Sequence, residues 1–183
     1  PDLPTVYAYV DDLARIGSCA HHILDSHLKD KDAELGDFTP NEVTVAKNSV
    51  ARYFDWAIGK DIEIVSTDGE VVSDVHRFGG KYDVYARIDG KYTVVDFKTG
   101  SGLYLENEMQ VAAYAELLRE KGMVVDQLIL LRIGRTVTEG FEERVLTEWA
   151  NHWMAFLCLR QLYDVEKAIK KGELFQPHLS AVA

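Results

Sequence analysis

Cysteine, proline and long apolar runs are all scarce in this sequence of 183 residues. The two cysteines, Cys19 and Cys158, stand far apart in apolar, helix-patterned surroundings. They read as buried free thiols of a reducing compartment, and two thiols cannot hold an iron–sulfur cluster. Four prolines, and no stretch rich in Pro, Gly or Ser, exclude low-complexity linkers. The length suits one domain, residues 1–183, with a substantial buried core. No run approaches the roughly 18 apolar residues of a membrane span, and no charged start followed by an apolar stretch suggests a signal peptide. No membrane partner is therefore expected. The chain opens on Pro1 rather than methionine, as a trimmed chain or a piece of a longer protein would. Basic residues are the minority, 20 against 30 acidic, for a net charge of −10. That balance excludes a surface that clings to nucleic acid everywhere, but it leaves room for a local basic groove or a metal-loaded acidic centre.

What is present is ordinary globular material, 47% hydrophobic and 27% charged. "VDDLARIGSCAHHILDSHL" spaces Leu13, Ile16, Ala20, Ile23, Leu24 and Leu28 at helical intervals. "FTPNEVTVAKNSVARYFDWAIG" reads as a second helix, with Thr39 or Asn41 as cap, Pro40 near its start and Gly59 at its end. The period then changes to two. From Asp61 to Thr99 the sequence reads as a meander broken at Asp68-Gly69 and again at Asp89-Gly90, a dipeptide that favours tight hairpin turns. Helical spacing returns from Tyr104 to Lys121, "DQLILLRIG" reads as a buried strand, and Glu143–Gly172 reads as one long closing helix with a basic end. There are no repeats. The order predicts a mixed α/β domain around a central sheet.

"KYDVYARIDGKYTVVDFKTG" carries the chemistry. With Asp89-Gly90 as the turn, Asp83 lies six residues before it and Asp96 six after. Cross-strand neighbours bring Cβ atoms to about 5 Å, so both carboxylates are expected at one end of the hairpin. Two bare carboxylates at that distance repel. A divalent cation removes the objection, because carboxylate oxygens suit Mg²⁺ or Mn²⁺. Alternation puts Lys98 on the face of Asp96, where an ammonium can stabilise a phosphorane-like transition state. Phe97, between them, turns its ring to the core and leaves its carbonyl to point towards the metal. The competing reading is a hairpin ion pair in which Lys98 merely neutralises the acids. Beyond the strand, Gln110 and Tyr114 share one helix face. They are either an incidental polar pair or groups laid over the site to hold water or a scissile phosphate.

Taken together, "GGKYD…VVDFKTG…QVAAY" resembles the PD-(D/E)XK nuclease superfamily, and within it the RecB-like exonuclease branch, in a cluster-free and phage-type form. Gly80 to Asp83 match its Gly-x-x-Asp strand, Asp96 to Thr99 its Asp-x-Lys-Thr strand, and Gln110 to Tyr114 its Gln-x-x-x-Tyr helix. "GSCAHHILD", Gly17 to Asp25, matches an early helix of the pattern Gly-Thr-x-x-His-x-x-Leu-Glu, with Ser18 and Asp25 as departures; that alignment selects His21 and leaves His22 unassigned. The match spans residues from about 17 to 121. The resemblance implies a restriction-endonuclease-like αβββαβ core, a central mixed sheet flanked by helices. It also implies Mg²⁺ or Mn²⁺ dependence and hydrolysis of DNA phosphodiester bonds by an end-directed exonuclease of recombination, repair or phage DNA processing. The setting would be the cytoplasm of a bacterial or phage-infected cell, with partner proteins of recombination or replication. By the same match His21, Asp83 and Asp96 are metal ligands with the Phe97 carbonyl assisting, Lys98 is catalytic, and Gln110 and Tyr114 lie near phosphate or base. A non-catalytic nucleic-acid-binding module, or an assembly domain of a larger helicase–nuclease complex, is the alternative.

Further candidates carry less. Glu63, apolar-flanked in "DIEIV", is an additional acid that would face the site. Arg77 and Lys81 are the DNA-binding candidates, with Lys91, Arg132 and Arg135 as further local cations, each reading alone as a solvated surface charge. His76 borders the groove or serves structure. His27, His152 and His178 have no partners in sequence. Trp149, Trp153 and Phe156 fall at helical spacing and read as core.

Overall fold

The computed structural model describes residues 3–175. Nine elements follow in the order α1 (Leu3–Leu28), α2 (Pro40–Ala57), β1 (Ile62–Ser73), β2 (Phe78–Ile88), β3 (Lys91–Lys98), α3 (Leu105–Glu120), β4 (Gln127–Ile133), β5 (Phe141–Leu146) and α4 (Ala150–Lys171). The strands form one sheet in the order β1-β2-β3-β4-β5. All neighbours are antiparallel except β3 and β4, which run parallel because α3 carries the chain back across the sheet. No described helix is long and apolar enough to cross a membrane.

Local chemistry sets the boundaries. Thr39 caps α2: its hydroxyl accepts the Glu42 N–H, and Glu42 accepts the Thr39 N–H in return. Arg15 of α1 grips the same Glu42, which ties the first two helices together. At the β2–β3 turn Asp89 and Gly90 both have positive φ, 49° and 85°, as a primed two-residue turn requires.

The sheet separates two apolar layers. Val84, Ala86, Val95, Phe97, Ile129 and Leu131 pack against Ile16, Ala20 and Leu24 of α1 and Val50 and Tyr53 of α2. On the other face Tyr82, Tyr85, Val94, Leu128 and Leu130 meet Val111, Ala112 and Leu118 of α3, with Trp149. The α1/α2 layer, the sheet and the α3/α4 layer make up the described fold.

Four expectations change. Asp68-Gly69 is not a turn but lies within β1; the hairpin turns instead at residues 74–77. Gly69 is required there by its neighbour, since a Cβ would fall 2.2 Å from the Tyr82 ring. The sequence read as the start of the last helix holds β5, an edge strand that exposes Phe141, Glu143 and Val145 and keeps Glu142, Arg144 and Leu146 half-buried. Cys158 is exposed, whereas Cys19 is buried. Trp149 is buried as expected, but no residue of α4 is, so Trp153 and Phe156 are half-buried rather than core.

Candidate active site

The site forms where two strands part. The β2–β3 ladder runs from Ile88 opposite Lys91 to Val84 opposite Val95. Just beyond, the Asp83 carboxylate takes over from the backbone: its Oδ2 accepts the Phe97 N–H at 2.8 Å. Alternation then sends the Phe97 ring into the α1/α2 layer, edge-on to Tyr53 at 5.6 Å, and Asp96 to the α3 side with Val94.

His21 arrives from α1. Its Nδ1 stands 3.3 Å from Asp83 Oδ1, and its ring stands edge-on to Phe97 at 6.1 Å. Gly17, one turn earlier, lets the helix approach this closely, because a Cβ there would sit 2.8 Å from Thr99 Oγ1. Burial alone would lower the His21 pKa, but the hydrogen bond and charge of Asp83 outweigh it, and the net shift is upward.

Asp96 is only 3% exposed. Burial first, and the neighbouring Asp83 second, push its carboxyl up to about 6, against the opposing pull of Lys98 and His21. Lys98 Nζ lies 2.7 Å from Asp96 Oδ2, yet off the direction of a hydrogen bond, so that buried oxygen has no aligned donor. The same ammonium donates to Gln110 Oε1 at 2.8 Å. Tyr114 lies one turn further along α3, and its ring covers Gly80, where a Cβ would come within 2.4 Å of it. Burial, then Asp96 and Asp83, push the Tyr114 hydroxyl up to about 12.

Six predicted residues are thus brought together: His21, Asp83, Asp96, Lys98, Gln110 and Tyr114. Phe97 joins them through its backbone. A cavity of roughly 570 Å³ opens on the α1 side, with His21, His22, Asp83, Asp25, Asp68 and Lys81 among its lining residues. Asp25 accepts from Thr67 and Lys29, both at 2.7 Å, and Asp68 holds Lys81 at 2.6 Å. The sequence offers little to single out these two acids as cavity residues. Asp25 occupies the acidic end of the helix pattern, and Asp68 looks like a turn residue.

Other candidates stand elsewhere. Glu63 points to solvent at the far end of β1, opposite Arg87, because Ile62 and Ile64 take the inward positions. Arg77 sits in the β1–β2 turn on the α4 side, where its carbonyl accepts from Arg160. Arg132 and Arg135 are not solvated charges; they are held by Glu142 and Glu139. Lys91 is exposed beside the opposite turn. His22 contacts the Glu34 carbonyl, His27 packs on Phe54, His76 on Trp153, and His152 pairs with Glu108. His178 lies outside the described residues.

A hard divalent cation suits the chemistry of this donor set: two carboxylates and an imidazole, with one buried carboxylate oxygen lacking an aligned donor. Among the described residues no three His, Cys, Asp or Glu side chains are arranged to hold a metal on their own. Water and phosphate oxygens would complete the shell, as is usual for Mg²⁺.

No family model and no curated protein matches the sequence. Solved structures do. A protein from Eubacterium rectale, provisionally named an exonuclease, superposes with a TM-score of 0.57 at 15% identity, covering 93% of this chain and 72% of that one. The protein SSO0001 gives a TM-score of 0.44 at 14% identity, covering 75% of this chain and 64% of that one. The first likeness shows the fold: a mixed five-stranded sheet flanked by four helices, shared with a nuclease-named neighbour.

Proposed function

We propose that the chain is a divalent-metal-dependent deoxyribonuclease of the RecB-like PD-(D/E)XK type, acting from DNA ends in recombination, repair or phage DNA processing. The observation that carries this reading is the buried Asp96. It is held against Asp83 at a cost to its ionised form, with Lys98 and His21 converging on the same strand end. A purely structural ion pair has no use for the second carboxylate. The name of the neighbour of like fold supports the same class.

On this reading His21, Asp83, Asp96 and the Phe97 carbonyl hold Mg²⁺ or Mn²⁺. Such an ion, when bound, lowers the pKa of water and polarises a phosphoryl oxygen. Lys98 offsets the charge that builds on the phosphoryl oxygens, and the Gln110 amide keeps its ammonium aimed. Tyr114, with its hydroxyl pushed to about 12, keeps its proton at neutral pH and serves as a donor rather than a base. His21 must be neutral to ligate, so its raised pKa makes loading favour higher pH.

The test is incubation with linear single-stranded, linear double-stranded and closed circular DNA, with Mn²⁺, Mg²⁺ or EDTA, beside Asp96→Ala. Loss of linear DNA alone, dependent on metal and on Asp96, is the expected result. Nicking of the circle would make it an endonuclease. Cleavage by Asp96→Ala equal to wild type, or no cleavage under any condition, would sink the assignment.

A further inference from the structure

Helix α4 carries a feature that the proposed chemistry does not use. Trp153 and Phe156 have the spacing of core residues, yet no residue of α4 is buried, and both rings stay partly exposed, with His76 and Phe78 packed against Trp153. They lie nearly parallel, with 14° between planes and centroids 5.7 Å apart. Phe78 of β2 meets Phe156 at 4.8 Å. Phe78 belongs to the strand face of Gly80 and Tyr82, which is the face covered by Tyr114. A line of rings therefore runs from Tyr114, over Gly80, to Phe78 and on to α4. At the rise of a strand, Phe78 lies about 16 Å from Asp83.

Charge follows the same line. Helix α4 holds Arg160, Lys167, Lys170 and Lys171 against Asp164 and Glu166, four minus two for +2, in a chain whose total is −10; Arg160 is paired with Asp164 and Lys171 with Glu173, so Lys167 and Lys170 are the cations it offers. Arg160 and Lys167 stand over the Tyr163 ring at 5.4 and 5.9 Å. Exposed Lys167 and Lys170 beside partly exposed rings match a strand that offers phosphates and unstacked bases together. A duplex keeps its bases stacked away, and an apolar protein partner has no need of the lysines.

We propose that Phe78, Trp153 and Phe156, with the lysines of α4, form a stacking platform for single-stranded DNA that leads towards Asp83 and Asp96. The direction of the track rests on the nuclease reading. The platform as a binding surface does not. Stacking tolerates any base, so the platform binds without sequence preference and with strong salt dependence.

The test uses a fluorescein-labelled oligothymidylate of about 20 nucleotides and its duplex counterpart, with binding read by anisotropy in EDTA so that no cleavage intervenes. Wild type should bind the single strand saturably and the duplex more weakly. Phe156→Ala should weaken single-strand binding about fivefold or more, the loss expected for one stacked base. The double variant Lys167→Gln/Lys170→Gln changes only exposed positions, without placing acids in the last turn of α4, and should keep the melting temperature close to wild type. It should weaken binding and flatten the salt dependence. No saturable binding by wild type, or equal affinity in all three proteins, would overturn the platform. So would a dimer in sedimentation that Phe156→Ala dissolves without touching DNA affinity, since a second copy would then be the occupant. Variant-sensitive binding without any Mn²⁺-dependent cleavage would sink the nuclease reading and leave the platform standing; the converse pattern would do the reverse.

Discussion

Asp83 Oδ2 accepts the Phe97 N–H at 2.8 Å, at the point where the β2–β3 backbone ladder has ended. One carboxylate thus closes the strand end with one oxygen and faces His21 with the other. The two duties can be separated. Asp83→Asn keeps an oxygen for the Phe97 N–H and should melt near wild type, yet lose cleavage. Asp83→Ala leaves a backbone donor without its acceptor, at about 1–3 kcal/mol, and should melt several degrees lower as well. Equal melting temperatures for the two variants would show that the bond to Phe97 contributes nothing.

Asp96 makes a prediction about pH. Its folded carboxyl is pushed up to about 6 from the ordinary 3.8, so between those values the folded state binds more protons than the unfolded one. Stability is then favoured at low pH and lost as pH rises through about 6. In EDTA at pH 8, Asp96→Asn should therefore melt at least about 2 °C higher than wild type, although on the nuclease reading it should lose cleavage. Near pH 4 the gain should vanish. A variant less stable than wild type at pH 8 would contradict the cost assigned to burying this charge.

His21 shifts in the same sense. Its raised pKa gives stability that is present below the unfolded value and lost as pH climbs through the folded one. On the metal-centre reading Mn²⁺ has to displace that proton, so the rise in melting temperature with Mn²⁺ should grow from pH 6 to pH 8. His21→Ala should flatten this trend, and a trend unchanged in His21→Ala would remove the imidazole from the binding set.

On the nuclease reading, Lys98→Ala removes a charge aimed at the reacting group while leaving both carboxylates. It should cost roughly a hundredfold or more in rate, and still let Mn²⁺ raise the melting temperature. Loss of the Mn²⁺ effect together with the rate would mean that Lys98 organises the site rather than acting in the reaction.

Gly80 and Tyr114 can be tested as a pair. A Cβ at position 80 would intrude within 2.4 Å of the Tyr114 ring, so Gly80→Ala should destabilise and displace that ring. With Tyr114→Ala the obstacle is gone. The double variant should then be more stable than the sum of the single effects, by about 0.5–3 kcal/mol as for residues in contact. Strict additivity would mean that the ring does not rest on the strand.

The legibility of the sequence follows the same physics. Asp89-Gly90 announced its turn because few other residues tolerate two successive positive φ angles, and β4 declared itself as a continuous apolar run, buried at every position but Arg132. Asp83, Asp96 and Lys98 could be placed by counting from that turn. Glu63 was misplaced because apolar flanks suit an inward acid as well as an outward one, and only pairing with β2 decides. Asp68-Gly69 looked like a second turn, but its glycine makes room for Tyr82 across the sheet, a contact no local pattern encodes. Strand β5 escapes a local pattern because the consecutive charges Glu142, Glu143 and Arg144 break its apolar alternation, and only pairing with Arg132 and Glu108 accounts for the two on the half-buried face.

The separations between these residues along the chain also bear on the order in which the site can assemble. Asp96, Lys98, Gln110 and Tyr114 all lie within one strand–helix–strand unit from Lys91 to Ile133, and Asp83 reaches it through a two-residue turn. His21 is about sixty residues away and meets them only when α1 docks through the gap left at Gly17. Loop closure makes such distant pairings slow compared with local ones. A newly made or partly opened chain would therefore hold its acids and lysine in register before its histidine, and on the nuclease reading the complete constellation would be the last feature acquired and the first surrendered.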